Sequence, residues 1–253
     1  MPKYRGDILR YLGFLYLCIL LVVNIIFWIA LDGGIVHIAI SSVVIVIGYI
    51  AIIFYIDARR MDVLDRECDP ERYIELLGKK PSKGDKLNIA LAYSCLGQDD
   101  AALAILQDAD IALYGHGLIH YHLLLLCIYM EKKNIEAATQ EYEKIIRLKG
   151  GSSFGPVMVF SIDIVILDYH YRQNETSDTA KLFLEQLRFL YNVHKKCLRR
   201  RQKVFTWFLI AELLEKIGDI NGALVQHEKV ATKGNKLYVV KLSQNKIAEL
   251  QNK

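Results

Sequence analysis

ILRYLGFLYLCILLVVNIIFWIALDGGIVHIAISSVVIVIGYIAIIFYI, residues 8–56, is two long apolar runs separated by Asp32, Gly33 and Gly34. In the first run, 8–31, Arg10 is the only formally charged side chain, and the second run, 35–56, has none. Each run exceeds the roughly 20 residues that a helix needs to cross about 30 Å of hydrocarbon. The reading is a transmembrane hairpin of two spanning helices joined by the external turn 32–34, where glycine tolerates tight backbone angles. A cleaved signal is disfavoured, because its apolar core is only about 7–15 residues and is followed by a small-x-small site that is missing here.

Working outward, basic residues orient the hairpin. Lys3, Arg5 and Arg10 lie before or at the start of the first span, Arg59 and Arg60 follow the second, and the turn has neither Lys nor Arg. The positive-inside rule puts residues 1–7 and everything after residue 56 in the cytoplasm. The expected location is integral and multi-pass, in a plasma membrane of bacterial type. Asn24 in the first run, and Ser41, Ser42 and Gly48 in the second, are candidates for helix–helix contact within the membrane.

Beyond the hairpin the charge is nearly balanced. Removing Lys3, Arg5 and Arg10 from 32 basic residues, and Asp7 and Asp32 from 28 acidic ones, leaves a net of about +3, which disfavours a general nucleic-acid binder. Five isolated cysteines, Cys18, Cys68, Cys95, Cys127 and Cys197, fit reduced thiols better than a disulfide or zinc framework. Asn174-Glu175-Thr176 matches a glycosylation pattern but is placed on the cytoplasmic side.

Residues 57–85 form a juxtamembrane helical linker, in which Asp69-Pro70-Glu71 is a helix start. Residues 86–253 then alternate between helical apolar periodicity and short polar breaks. The first unit carries Ile89, Ala90, Tyr93, Gly97, Ala102, Leu106 and Ala109. The second sets Leu125, Leu126 and Tyr129 against Ala138, Tyr142 and Ile145. A glycine-rich break at 150–156 reads as a linker, since it lacks the Gly-Lys-Ser/Thr ending of a phosphate loop. A third, longer unit pairs helices over 157–171 and 178–198 and carries Tyr171, Ala180, Leu184 and Leu187. The fourth carries Trp207, Ile210, Ala211, Leu214, Gly218, Asp219 and Ala223, and an amphipathic helix over 236–251 caps the array.

This pattern resembles the tetratricopeptide repeat, a helix-turn-helix unit of about 34 residues. Tyr93, Gly97, Ala102, Tyr129, Ala138, Trp207, Gly218 and Ala223 are the repeat-packing positions that carry the resemblance. It implies an all-α fold, a membrane hairpin followed by an α-solenoid, and protein binding along the first helices of the units. Asn88, His122 and Glu212 illustrate such groove positions.

Lys195, Lys196, Arg199, Arg200, Arg201 and Lys203 put six basic residues in nine positions. They suit an acidic protein partner or anionic lipid, with a solvated helix end as the plain alternative. His116, His120 and His122 lack a completing ligand nearby, so packing is preferred to metal binding. His170 between Tyr169 and Tyr171, with Asp168 close in sequence, makes no dyad, because neighbours on a helix point apart. No hydrolase or kinase signature is present. The expected function is a non-catalytic scaffold without cofactor or metal, holding a protein partner near a membrane. The alternative is an accessory or immunity-type subunit that acts through its hairpin.

Overall fold

The computed structural model describes residues 18–22, 25, 35–77, 83–107, 116–150 and 154–252, and every regular element among them is an α-helix. Residues 18–22 and 25 of the first apolar run are helical. The turn 32–34 and the remainder of that run lie outside the described residues, as do Asn24 and Ala109.

The chain forms two compact units. The first contains most of α1 (Ile35–Asp65) and residues 72–77 of α2 (Pro70–Leu77). Within α1, Ser42–Asp65 is long and apolar enough to cross a membrane. Its 24 residues correspond to about 36 Å of helix. Val43, Val44, Val46, Ile47, Ile50 and Phe54 are all exposed, the opposite of a soluble core helix. Polar residues enter at Asp57, and the helix runs on to Asp65, nine residues past the end of the apolar run. In this unit the Tyr73 hydroxyl donates to Met61 Sδ at 3.5 Å.

The second unit joins Leu64–Glu71 to the chain from Pro81 onward. Part of the expected linker is thus built into the helical domain. Nine further helices are described here: α3 (Lys83–Cys95), α4 (Asp99–Gln107), α5 (His116–Glu131), α6 (Ile135–Lys149), α7 (Pro156–Gln173), α8 (Ser177–His194), α9 (Arg200–Lys216), α10 (Ile220–Lys233) and α11 (Tyr238–Gln251). They pack as antiparallel pairs, α3–α4, α5–α6, α7–α8 and α9–α10, with α11 against the last pair.

One turn explains the pairing. The amide of Gln98 bonds the carbonyl of Tyr93 and that of Gly97 bonds Ser94; the same two bonds join Asn134 to Tyr129 and Lys133 to Met130, and Asp219 to Leu214 and Gly218 to Glu215. This is a Schellman end, which needs a left-handed residue just beyond the helix. Gly97 (φ 71°), Lys133 (φ 56°) and Gly218 (φ 84°) occupy it. Asn134 and Asp219 then cap the next helix through their side chains. In the α7–α8 turn Thr176 and Thr179 cap each other and no left-handed residue is used. Tyr171 to Ala180 nonetheless keeps the nine-residue spacing of Tyr93 to Ala102, Tyr129 to Ala138 and Leu214 to Ala223. All four alanines are buried, so the paired helices approach closely.

Two boundaries differ from the sequence expectation. α8 stops at His194, not 198, because Leu198 turns inward and the Gln202 side chain caps the Arg199 amide (2.7 Å) to start α9. α11 begins at Tyr238, after a turn in which Asn235 is left-handed (φ 52°).

A lysine in the left-handed region carries about 1 kcal/mol of strain that glycine relieves. Lys133→Gly is expected to raise the thermal midpoint and Gly218→Ala to lower it, each followed by far-ultraviolet circular dichroism. Gly97→Ala should cost more than Gly218→Ala, because its Cβ would lie 3.2 Å from that of Tyr238, whereas Gly218 faces open space.

Candidate functional site

The C-terminal ends of α5, α7 and α9 bring their charged side chains to one surface. Arg172 on α7 is the link. Its Nε donates to both Asp168 oxygens at 3.1 Å, and its Nη2 donates to Glu131 on α5 at 2.7 Å. The first contact follows from an i,i+4 spacing on one helix face. The second joins residues 41 positions apart and needed the packing of α5 against α7. Glu212 on α9 belongs to the same surface. It is exposed, yet incomplete solvation and the nearby Glu131, Asp168 and Glu215 push its carboxyl up to about 7, against the opposing pull of Arg172. Asp99, at the start of α4, is also raised, mainly by burial and then by Glu131. Glu175 pairs with Lys216 at 2.6 Å, a contact that holds its carboxyl below the usual range.

Of the three illustrative groove positions, Glu212 alone reaches this surface. Asn88 is half-buried on α3. His122 turns back toward its partner helix, where Nδ1 meets Glu141 Oε2 at 2.6 Å. Burial works against ionisation of Glu141, but hydrogen bonds with His122 and Lys144 win and lower its pKa.

The six basic residues of 195–203 are divided by the fold. Lys195, Lys196 and Arg199 are exposed, and Lys203 is half-buried. Arg200 donates to the carbonyls of Lys233 (2.6 Å) and Arg66 (3.5 Å). Arg201 is mostly enclosed and donates to Asp65 at 2.8 Å, with the Cys95 thiol as a further partner. Around it Asn235 donates to the Glu67 carbonyl (2.8 Å), and Lys236 pairs with Asp69 (3.1 Å) and Glu71 (3.0 Å). The last helix pair therefore clasps the segment that leaves α1. Arg200 and Arg201 belong to this clasp and not to a ligand-facing patch. The sequence could not reveal it, since the partners are more than 130 residues apart.

Several other groups are accounted for by packing. Trp207 donates to the Tyr191 hydroxyl at 3.2 Å, tying α9 to α8. Tyr129 is half-buried between two clusters of core residues. The His170 ring shares a hydrogen bond with Tyr142 (3.1 Å), while Asp168 serves Arg172. His120 is exposed and the His116 side chain lies outside the described residues; among the described residues no cluster of His, Cys, Asp and Glu is arranged to hold a metal ion. Burial pushes the Cys68 thiol up to about 11 and that of Cys127 to about 12, which suppresses the thiolate.

Sequence reading missed a buried chain on α9, α10 and α11: Glu215 Oε1 to His227 Nε2 (2.8 Å) and His227 Nδ1 to Ser243 Oγ (3.0 Å). Its residues match a nucleophile triad, but Ser243 and His227 are fully buried, so no substrate reaches the hydroxyl. It locks α11 onto the last pair.

Breaking a buried ion pair from one side strands a charge. Arg201→Met is expected to cost about 3 kcal/mol, and the double variant with Asp65→Asn less than the sum of the singles, in denaturant titrations. For Glu212 the sign is set by its raised pKa: the folded state binds the proton more tightly, so this contribution is complete below about pH 4.5, the ordinary value, and is lost as pH rises through about 7. Glu212→Gln should therefore raise the thermal midpoint at pH 8 and leave it almost unchanged at pH 4. Comparison with known families, curated proteins and solved structures finds no match to this chain.

Proposed function

We propose that this chain is a membrane-anchored, non-catalytic scaffold that binds a protein partner on the surface lined by Glu131, Asp168, Arg172 and Glu212. The observation that carries this reading is the convergence of charged side chains from α5, α7 and α9, the first helices of successive pairs. Carboxylates outnumber the single guanidinium there, which favours a partner segment carrying Lys or Arg. The recurrent nine-residue turn and the buried alanines support the likeness to tetratricopeptide repeats, in which such first-helix surfaces receive extended segments. On the membrane side the reading takes α1 as the second arm of a hairpin, with the helical domain in the cytoplasm. No cofactor or metal is assigned.

A photo-cross-linking residue at Glu212 in the full chain, in native membranes, should capture a defined protein, whereas the same probe at Glu228 on α10 should not. Arg172→Glu should abolish that capture. Equal products at both positions would count against the surface, and capture only from probes at Ser42 or Gly48 would transfer recognition to the membrane helices.

A further inference from the structure

Helix α8 is apolar on two opposite faces. Ala180, Phe183, Leu184 and Leu187 are buried against α9 and its surroundings. On the far side Leu182 (56% exposed), Phe189 (68%) and Val193 (58%) point to solvent. At 3.6 residues per turn these three fall within about 40° of one another, in a stripe directly opposite the buried face. Core packing does not use this second stripe, and a two-sided apolar helix on a water-facing surface is costly.

Charge indicates what covers it. Asp178 and Glu185 lie on the N-terminal half of α8, where Asp178 pairs with Lys181 at 3.6 Å. From Gln186 to Ala211 the sequence has no acidic residue; Arg188 is exposed about 100° around the helix from Phe189, and Lys195, Lys196 and Arg199 are exposed just beyond the C-terminal end of α8. Apolar side chains flanked by Lys and Arg form the pattern of a helix that lies in a membrane interface. Asp65, which Arg201 grips, is nine residues past Ile56, only about 14 Å of helix from the apolar run.

We infer that α8 is a membrane-interface helix: Leu182, Phe189 and Val193 insert among lipid headgroups, and Arg188, Lys195 and Lys196 bind anionic lipid phosphates. The inference rests on α1 being embedded.

The test uses the full chain, Cys197→Ser and Val193→Cys, labelled with an environment-sensitive dye and reconstituted into nanodiscs. One set of discs is phosphatidylcholine alone, the other includes phosphatidylglycerol. The expected result is a blue shift and protection from aqueous acrylamide in the anionic discs only. A control label at Val225→Cys on α10 should stay aqueous in both. Changing Arg188, Lys195 and Lys196 to Gln should weaken the protection about fivefold per cation, and Phe189→Asp should remove it. A Val193 label equally quenched in both discs, or a Val225 label that shifts alongside it, would overturn the inference. So would protection that persists in neutral discs or detergent, which would indicate a second copy or another protein segment on the stripe. A chain that fails to embed at all would instead overturn the anchor reading, and this inference with it.

Discussion

The Arg201–Asp65 pair is the contact on which the helical domain's arrangement turns. It joins the segment 64–71 to the last helix pair within the second unit, although 136 positions separate the two residues. Two charges removed from water repay their desolvation only when the geometry is good and the remaining donors are used. Here the guanidinium also reaches the Cys95 thiol, its neighbour Arg200 bonds two backbone carbonyls, and Lys236 and Asn235 complete the grip on 67–71. The first helix pair is drawn into the same neighbourhood, since Gly97 at its turn lies against Tyr238 of the last helix. An array of pairs needs cover for its terminal core faces. Here the segment 64–71, which belongs to the same unit, is bound to the last pair by these contacts.

Within that frame, two polar systems serve different ends. The Glu215–His227–Ser243 chain is enclosed and satisfies every buried donor and acceptor it contains, so it acts as a lock between helices. In the Glu131–Arg172–Asp168 group, with Glu212 beside it, Asp168 is largely enclosed while Glu131 and Glu212 reach solvent, and the group holds more carboxylates than one guanidinium neutralises. Incomplete solvation first, and then the neighbouring carboxylates, raise the pKa of Glu212 against the pull of Arg172. Such an excess of carboxylate costs folding stability at neutral pH.

The sequence alone determined the helical class, the apolar stretch that suits a membrane, and the positions of Gly97, Ala102, Ala138, Gly218 and Ala223 in the turns and pair contacts. These are local matters: helical periodicity, a glycine beyond a helix end, a small residue where two helices touch. Lys133, in the same left-handed position as Gly97, is not announced by its residue type. Tertiary structure alone decided which charged residues meet. Arg172 and Glu131, Arg201 and Asp65, and His122 and Glu141 are pairs whose partners lie on different helices, at separations that no periodicity encodes. The run of basic residues 195–203 shows the difference most clearly. Composition made it one patch, whereas the fold commits Arg200 and Arg201 to an internal clasp and leaves Lys195 and Lys196 outside, because a charge's role is set by what packing brings within a few ångströms of it.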